Sequence, residues 1–349
     1  MMIRTVRSED LPFLTEIWND AVHAGEVVWF EMSPEYRHTK FEKNPDIDRD
    51  LILTAAVGDE IAGFAVGIAQ KRFLDHETNA NTPGYLPCIC VAPRFRGRGI
   101  GRALTDEMSA RLKARGKSSV SLSGGPLDLD WHIPGTRSHD HNNVPGVDTE
   151  CPGYGFFRHL GFDLPGVETA MYLDLKDYIP LPDMAERQAK LLSEGIYTGR
   201  YDASLDLDYD RACDRVGSDY WRAVIRSELA CWKEGRPNTD PRFIPNGTRI
   251  PAGPRPLLTA CADGHIVAFT GPVDLQDSGR GWFTGIFTDP EYRRRGIASV
   301  LFHSLMREFI AEGASFSTLF TGENNPARQI YLGAGFRIVR RFALMSKTL

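Results

Sequence analysis

The 349-residue sequence has little of what membrane-spanning, disulfide-stabilised or nucleic-acid-binding proteins need. No apolar run approaches the ~18 residues required to cross a bilayer. Six cysteines are too few for a disulfide framework in a chain of this length, which favours a reducing compartment. A formal net charge of −5 argues against binding nucleic acid by neutralising phosphates. The first residues carry acids early and lack an apolar core, so we expect no signal peptide, no membrane association and a cytoplasmic location.

The sequence also lacks spacings typical of metal sites, and we expect no metal. Cys88 and Cys90 are one residue apart, which places both on one face of a strand and favours packing. The stretch Ser123–Cys151 is rich in glycine, proline and histidine. Histidine and carboxylate side chains there are potential metal ligands, but without paired cysteines or an H-E-x-x-H pattern we expect a long, solvated surface loop. The possible ligands in this stretch are His132, His139, Asp140 and His141.

The clearest positive feature is a pattern that occurs twice. Residues 91–101 read VAPRFRGRGIG and residues 288–298 read TDPEYRRRGIA. They share a proline, an aromatic residue, two arginines, a glycine and an isoleucine at the same offsets. Each follows an apolar stretch that predicts a strand, Tyr85–Val91 and Trp282–Thr288, and each precedes a helical pattern. Duplication of a strand, turn and helix predicts a tandem α/β protein.

The segments after the repeated turn support the same duplication. FFRHLGF ends at Phe162 and IYLGAGF ends at Phe336, and each predicts a short helix that runs into a closing strand. We therefore predict domains at 1–178 and 179–349, with a proline-interrupted linker near Lys176–Asp183. The helix after the second turn should end at Gly313 and present one apolar stripe. Its members are Val300, Leu301, Leu305, Phe309 and Ile310.

The repeated turn is suited to binding an anion. Small residues between a strand and a helix let the backbone approach a ligand, and the free amides of the first helical turn point outward. Together with the helix dipole and the neighbouring arginines, these amides favour a pyrophosphate group. The turn is not a P-loop, since no Gly-Lys-Ser/Thr follows, and it does not have the spacing of a Rossmann fingerprint.

Three motifs in combination resemble the GNAT superfamily of N-acetyltransferases. They are the R-x-x-G-x-G/A form of the turn, the V-x-P-x-x-R ahead of it and the later N-x-x-A-x-x-x-Y-x-x-x-G-F. The resemblance spans both halves of the chain and implies two tandem GNAT-type domains. Each would have a mixed central sheet, split open in a V and flanked by helices, with acetyl-CoA bound in the split. The layout is similar to that of mycothiol synthase and bacterial amino-sugar N-acetyltransferases, whose second half is active.

The resemblance also implies which residues hold acetyl-CoA. In the family, the backbone of the fourth strand bonds the pantetheine arm and the glycine turn holds the pyrophosphate. In the second copy this assigns the contacts to Ile286, Phe287, Thr288, Arg294, Arg295, Gly296, Ile297, Ala298, Ser299 and Asn324. In the first copy it assigns them to Cys90, Val91, Gly97, Arg98, Gly99, Ile100, Gly101 and Arg102.

The motif downstream of the turn distinguishes the two copies. In the second, Asn324 and Tyr331 occupy the positions where the family has a CoA-contacting Asn and a general-acid Tyr. A phenol there would protonate the departing CoA thiolate. The first copy has Glu150 and Phe157 at these positions, and a phenyl ring has no proton to give. Tyr154, one helical turn earlier, is the alternative donor. We predict a catalytic second domain and a non-catalytic first domain.

The acceptor and the general base are less determined by the sequence. The segment Asp202–Asp219 would attract a cationic amine if it walls the acceptor site, or else be a helix start with loop acids. Its aspartates are Asp202, Asp206, Asp208, Asp210, Asp214 and Asp219. Trp221 and Trp232 either share a buried helix face or stack on a sugar. Trp282 stands where some family members have a strand glutamate. The remaining base candidates, each also interpretable as a solvated loop acid, are Asp274, Asp277 and Glu323.

Three classes of function follow from these patterns. The favoured one is an N-acetyltransferase that moves an acetyl group to a primary amine of a small molecule. A peptide or protein amine is the alternative acceptor, and a non-catalytic acyl-CoA sensor is the alternative class. The acidic net charge and the absence of interleaved aromatics disfavour nucleic acid as a partner. No pattern indicates an oligomeric state.

Overall fold

The computed structural model describes residues 1–127, 129–205, 207–244 and 247–349. The chain forms two compact units: unit 1 is Met1–Ala170 with Val339–Leu349, and unit 2 is Met171–Ile338. The sequence predicted two consecutive domains. In the structure, the last eleven residues, 339–349, belong to unit 1 and not to the second unit. Within the described ranges, no helix is both long enough and apolar enough to cross a membrane.

Unit 1 is a mixed sheet with helices on it. Its strands are β1 (Met2–Thr5), β2 (Ile52–Val57), β3 (Glu60–Ile68), β4 (Gly84–Val91), β5 (Ser119–Ser121), β6 (Asp130–His132), β7 (Asp140–Asn142), β8 (Val147–Asp148) and β9 (Asp163–Asp174), of which β9 ends in unit 2. Its helices are α1 (Leu11–His23), α2 (Pro34–Arg37), α3 (Ile100–Ala114) and α4 (Pro152–His159). Strands β1 to β4 pair antiparallel in sequence order, and β5 joins β4 in parallel.

Unit 2 repeats this arrangement. Its helices are α5 (Met184–Ser193), α6 (Asp210–Arg215), α7 (Asp219–Glu234), α8 (Ile297–Ala311) and α9 (Arg328–Gly333). Its strands are β10 (Tyr197–Arg200), β11 (Leu258–Ala262), β12 (His265–Gly271), β13 (Asp274–Leu275), β14 (Arg280–Trp282), β15 (Gly285–Thr288), β16 (Phe316–Gly322) and the start of β17 (Arg337–Thr348). Strands β10, β11, β12 and β15 pair antiparallel, whereas β14 pairs with β16 in parallel.

Both units contain the same split between two parallel strands. In unit 1, β4 pairs with β5 only through Gly84 and Tyr85, and then continues to Val91 beside β3. In unit 2, β14 pairs with β16, and after two residues the chain continues as β15 beside β12. The predicted strand Trp282–Thr288 is therefore in two pieces. Each sheet opens on the side from which α3 or α8 begins.

The end of the chain completes the sheet of unit 1. Residues of β17 pair antiparallel with β5, with Ser346 opposite Ser121. Further back along β17, Phe342 lies opposite Asp148 of β8 and packs edge-on against Trp131, with ring centroids 5.5 Å apart. Phe342 is 1% exposed, so the last strand contributes to the hydrophobic core of unit 1 as well as to its sheet.

Most of the apolar stripe predicted for helix α8 is buried. Four of its five predicted members, Val300, Leu301, Leu305 and Phe309, are buried. Ile310 is 46% exposed, because it lies one residue, or about 100° of helix rotation, beyond Phe309. Helix α3 begins at Ile100 and packs on β3 and β4.

The prediction of a solvated surface loop between Ser123 and Cys151 is wrong for part of that stretch. Strands β6 and β7 form a hairpin there. Trp131 is fully buried and His141 is 2% exposed, and their rings stack at a centroid distance of 5.2 Å. Apolar residues scattered among the turn formers supply enough buried surface to fold the insertion onto unit 1. Among the described residues, no group of three or more His, Cys, Asp or Glu side chains is placed to hold a metal ion.

Candidate active site

The two glycine turns have the same backbone conformation. Gly99 and Gly296 are the N-caps of α3 and α8, with φ of 77° and 84°. Two residues earlier, Gly97 has φ of 73° and Arg294 has φ of 63°. A residue with a side chain in this region costs about 1–2 kcal/mol. Unit 2 therefore keeps the turn at Arg294 despite local strain that a glycine would remove.

The space beside each turn is open to a ligand. A Cβ at Gly97 or Gly99 would meet no atom within 4 Å. At Gly296 the nearest atom is Nη1 of Arg187 on α5, 3.6 Å from such a Cβ. Nε of Arg187 donates to Asp183 at 2.8 Å. Amides at a helix N-terminus beside a guanidinium suit a phosphate group. Sequence reasoning missed Arg187, because it precedes the repeated pattern by a hundred residues and only folding brings it to the turn.

A cavity of about 550 Å³ occupies the split of unit 1. This volume is within the ~300–1,000 Å³ typical of small-molecule sites. Its wall includes all but one of the contacts predicted for the first copy: Cys90, Val91, Gly97, Gly99, Ile100, Gly101 and Arg102. The exception is Arg98, whose guanidinium lies over the Phe95 ring, 5.4 Å from its centroid. Sequence reasoning missed the walls from α1, the segment after it, α4 and the chain end, which include Trp18, Trp29, Phe156 and Phe342.

The carboxylates in the wall of this cavity have guanidinium partners. Both Glu26 oxygens accept from Arg96, at 2.6 and 2.7 Å, and these bonds lower the pKa of Glu26. Asp148 lies 3.7 Å from Nε of Arg340, and burial raises its pKa. The other charged residue in the wall, Arg102, is exposed. Both of these carboxylates thus have a neighbouring arginine.

Helix α4 brings no phenol to this cavity. Phe157 is 5% exposed, lines the cavity and packs edge-on between Phe156 and Phe162, with ring centroids 5.0 and 5.3 Å away. Tyr154 is half-buried against the core and is not among the cavity-lining residues. Cys151, the N-cap of α4, does line the cavity, but burial raises the pKa of its thiol. The alternative donor considered for the first copy therefore does not face the ligand space.

In unit 2, α9 places Tyr331 in an aromatic environment. Its ring centroid is 4.8 Å from Phe302 and 6.3 Å from Phe336, and the residue is 5% exposed. Burial raises the pKa of Tyr331 to about 12. The phenol is therefore protonated throughout the physiological pH range. Asn324, seven residues earlier, is exposed in the turn before the helix.

The strand residues predicted to hold the pantetheine arm alternate between two faces of β15. Ile286 packs on the core that contains α8, whereas Phe287 is buried against the core formed by α6 and α7. Hydroxyl oxygens of Thr284, Thr288 and Thr318 are buried, and none has a hydrogen-bond partner among the described residues. Thr288 and Thr318 lie on β15 and β16, which flank the split, and Thr284 lies between β14 and β15. An unsatisfied buried hydroxyl costs about 1–3 kcal/mol, which a ligand or water would offset.

The turn residues of the second copy divide between exposed and buried positions. Arg295 is exposed, with its guanidinium over the Tyr292 ring at 5.3 Å from the centroid and 3.6 Å from Glu194. Arg294 is exposed too, while Ile297 is 1% exposed and anchors the start of α8 in the core. The two small residues that follow, Ala298 and Ser299, are half-buried.

Trp221 lies against the backbone of β15. A Cβ at Gly285 would be 1.7 Å from Cζ2 of Trp221, so only glycine allows this approach. Trp232, further along α7, donates from its indole nitrogen to the Arg255 carbonyl oxygen at 2.7 Å. Both indoles pack on the same core cluster, which includes Phe269. The two rings therefore share the buried face of α7.

Asp274, a candidate base, belongs to a buried ion cluster rather than a solvated loop. Both its oxygens accept from Nη1 of Arg255, at 2.6 and 2.7 Å, and Arg255 also donates to Glu228. Asn238 donates to the same Glu228 oxygen at 2.6 Å. Burial raises the pKa of Asp274 to about 6. Asp274 pairs across strands with Trp282, the position where some family members have a glutamate.

The other acids considered for the site are less buried than Asp274. Asp277 is exposed and bound to Arg249 at 3.0 Å, and Glu323 is half-buried. In the acidic segment, Asp206 lies outside the described residues. Described members that form ion pairs are Asp208 with His265, Asp210 and Asp214 with Arg226, and Asp219 with Arg222. These partners favour the interpretation as helix-start acids over an uncompensated acidic wall.

Comparisons with known proteins agree with this geometry. Residues 14–126 and 221–336 each match the acetyltransferase (GNAT) family. An acetyltransferase of Photorhabdus laumondii is 31% identical over 124 residues, which cover 35% of this chain and 73% of the relative.

Solved structures share the fold. A GCN5-related N-acetyltransferase from Sphaerobacter thermophilus has a TM-score of 0.59 at 17% identity, covering 99% of this chain and 95% of its own. A tandem GNAT protein from the clavulanic acid pathway has a TM-score of 0.50 at 13% identity, covering 99% and 98%. The glucosamine N-acetyltransferase region of a fungal multi-domain β-N-acetylglucosaminidase reaches 0.63 at 16% identity. This chain covers 38% of that protein, with 99% of its own length aligned. The predicted fold of two tandem, mixed-sheet domains is confirmed.

Proposed function

Because the chain belongs to the GNAT acetyltransferase family, we propose that it transfers the acetyl group of acetyl-CoA to a primary amine of a small molecule. The observation that supports this most is the phenol of Tyr331, which the first copy replaces with Phe157. Burial raises the pKa of Tyr331 to about 12, so the hydroxyl carries its proton at working pH. Unit 2 is then the catalytic unit, and Tyr331 is its general acid.

Acetyl-CoA is a thioester substrate. The residues of unit 2 that would bind it lie in the second glycine turn, on β15 and in the turn before α9. The amides at the start of α8, with Arg294 and Arg295, would hold the pyrophosphate. The backbone of Ile286–Thr288 and the unsatisfied hydroxyl of Thr288 would take the amides of the pantetheine arm. Asn324 would contact the same arm from the turn before α9.

In the transfer step, the nitrogen of a neutral amine attacks the thioester carbonyl, a C–N bond forms and the C–S bond breaks. Tyr331 gives its proton to the departing sulfur, and solvent later restores that proton. The attacking nitrogen loses its extra proton to water. An amine that arrives neutral needs no side-chain base, which agrees with the placement of Asp277 on the surface.

Unit 1 contributes binding without transfer in this proposal. Its cavity is lined by the residues of the first glycine turn, but the position of the acid is a phenylalanine. A peptide amine remains the alternative acceptor, and binding without turnover in both units remains the alternative class.

The test is thiol release from acetyl-CoA across a panel of amines, with wild type beside Tyr331→Phe. The panel holds amino sugars, polyamines, aminoglycosides, amino acids and short peptides. Release with one class of small amine, lost in the variant, is the expected result. Thiol release with peptides alone would mean that the acceptor is a peptide amine. No release with any amine, together with retained acetyl-CoA binding, would favour the acyl-CoA sensor.

A further inference from the structure

A group of charged residues joins helix α6 to the strand end that leads into the second glycine turn. Asp289 directly follows β15 and is 1% exposed. Both of its oxygens accept from Nη1 of Arg215, at 2.9 and 3.1 Å, and Nε of Arg211 lies 3.4 Å from one of them. Arg211 and Arg215 are four residues apart, so both project from one face of α6. A buried carboxylate thus lies against two guanidinium groups of this helix.

Glu291 completes this group from the exposed side. Its oxygens accept from Nη1 of Arg215 at 3.0 Å and from Nη2 of Arg211 at 2.6 Å. These bonds, first that from Arg215, lower the pKa of Glu291, so its carboxyl group is ionised at neutral pH. Two carboxylates and two guanidinium groups therefore balance in charge. Arg211, Arg215, Asp289 and Glu291 are called the α6 ion cluster below.

The glycine turn does not need this cluster for its conformation. Unit 1 has Ala92 at the position of Asp289. In both units the carbonyl oxygen of this residue accepts from the amide three residues later at 2.9 Å. The N-cap glycines that follow have similar φ values, 77° and 84°. What the cluster adds to unit 2 is therefore the attachment of α6.

Unit 1 makes the corresponding attachment with the charges reversed. There the segment between the first two strands supplies an acid, Glu26, which binds Arg96 of the turn at 2.6 and 2.7 Å. In unit 2 the segment between the first two strands supplies the arginines. Arg293, at the position of Arg96, donates to the Thr288 carbonyl oxygen and has no ion-pair partner in the part of the chain that the structure describes. The same connection is thus made with different residues, which indicates a role for the connection itself.

Helix α6 depends on tertiary contacts for its position. It has six residues, and a helix this short is marginal by itself. Its buried residues, Ala212 and Cys213, are 0% exposed. From α7, Arg222 donates to the Cys213 carbonyl oxygen at 3.1 Å, and Arg226 forms exposed ion pairs, which contribute little. The bonds to Asp289 differ, because their loss would leave a carboxylate buried and unpaired.

Helix α6 also lies on the side from which an amine would reach the split. Phe287 of β15 belongs to the core formed with α6 and α7, whereas Ile286 packs on the core that contains α8. A donor with its phosphates at the start of α8 occupies that side and the split itself. The face of β15 that α6 and α7 cover is then the approach that remains for the acceptor.

We propose that Arg211 and Arg215 are positioning residues for transfer in unit 2: through Asp289 and Glu291 they hold α6 beside the glycine turn, where it forms one wall of the acceptor site. The proposal rests on the proposed function in that an amine reacts in unit 2. Loss of both arginines releases this wall. It leaves donor binding intact, because the turn of unit 1 has the same conformation without such a cluster.

The first experiment measures the opening of α6 without turnover. The full-length chain is treated with N-ethylmaleimide, and labelling of each cysteine is followed by mass spectrometry. Cys213 is buried on α6, so we expect it to react at least about tenfold faster in Arg211→Gln/Arg215→Gln than in wild type. Cys231 on α7 is 2% exposed and is the control within the same unit. Unchanged labelling of Cys213, or equal acceleration at Cys231, would overturn the proposal.

A charge exchange tests whether the pairing itself holds the helix. Arg211→Glu places a third carboxylate beside Asp289 and Glu291 and should also accelerate labelling of Cys213. Adding Glu291→Arg restores an opposite-charge pair, and labelling should return to within about threefold of wild type. No recovery in the double variant would contradict the proposal.

Kinetics then separate the acceptor wall from the donor turn. With an amine found in the thiol-release panel, Arg211→Gln/Arg215→Gln should raise KM for the amine about tenfold and leave Kd for acetyl-CoA within about twofold. Arg249→Gln, which removes the exposed pair with Asp277, is the control and should change neither. Weaker acetyl-CoA binding with an unchanged KM for the amine would assign the cluster to the turn and overturn the proposal.

Failure of the proposed function would be seen separately. If wild type releases no thiol with any amine, that result counts against the proposed function alone. Labelling of Cys213 still decides whether the α6 ion cluster holds the helix, because it requires no turnover.

Discussion

Units 1 and 2 share a turn and a split, and they differ in what lies beyond them. Unit 1 has a cavity of about 550 Å³ and a phenylalanine at residue 157. Unit 2 has a tyrosine at residue 331 whose pKa is raised to about 12 by burial. The backbone that suits a phosphate is retained in both copies, even at the strained Arg294. The groups that determine chemistry vary independently of that backbone, so a duplicated fold can divide binding and transfer between its copies.

The largest expected difference between the units is in turnover. Tyr331→Phe removes the proton donor, and we expect kcat to fall by about 10²–10⁴-fold with little change in acetyl-CoA affinity. Since the pKa of Tyr331 is raised to about 12, this group should cause no loss of kcat between pH 6 and pH 10. The measurement is thiol release against pH. Phe157→Leu is the matched control and should leave kcat within about twofold; loss of transfer in that variant would reverse the roles of the units.

The next difference concerns the chain end. Phe342 is 1% exposed and packs on Trp131, so Phe342→Ala should lower the free energy of unfolding of unit 1 by about 3–5 kcal/mol. Urea denaturation followed by tryptophan fluorescence measures this. Thr348→Ala, at an exposed position of the same strand, is the control, with an expected change below about 0.5 kcal/mol. Equal effects of the two substitutions would mean that this strand does not complete unit 1.

The glycine turns allow a symmetrical test of the two binding sites. Gly99→Glu and Gly296→Glu each place a charged side chain at a positive φ beside the expected phosphates. We expect each to weaken acyl-CoA binding in its own unit by about tenfold or more, and to leave the other unit unaffected. Calorimetry at low ligand concentration should show one tight site in each variant. Unchanged affinity and stoichiometry would contradict the pyrophosphate assignment.

The smallest expected effect distinguishes strain from charge in unit 2. Arg294→Gly removes a side chain at φ of 63° and should raise the free energy of unfolding by about 1 kcal/mol. The same change removes a positive charge from the turn, so acetyl-CoA affinity should fall several-fold. Gly97→Arg introduces a side chain at the equivalent position of unit 1 and should lower the free energy of unfolding. A lower free energy of unfolding in Arg294→Gly would mean that backbone strain at residue 294 does not destabilise unit 2.

Much of the candidate site could be predicted from local sequence. The strand, turn and helix around Gly99 and Gly296 follow from spacing, because positive φ and helix periodicity involve residues that are close in the chain. The contrast between Phe157 and Tyr331 follows from the same alignment of the two copies. The buried environment of Asp274 could not be predicted, since its partner Arg255 and its neighbour Glu228 come from other elements.

By itself, the sequence determined the duplication, the conformation of both turns and the identity of the residue at the acid position, because each depends on a short stretch of chain. Only the tertiary structure decided which residues surround the cavity of unit 1 and where the last strand pairs. Phe342 meets Trp18 and Gly99 around one cavity although all three are far apart in sequence. Such proximity arises from strand pairing and the burial of apolar surface over the whole unit, and a local pattern does not encode either.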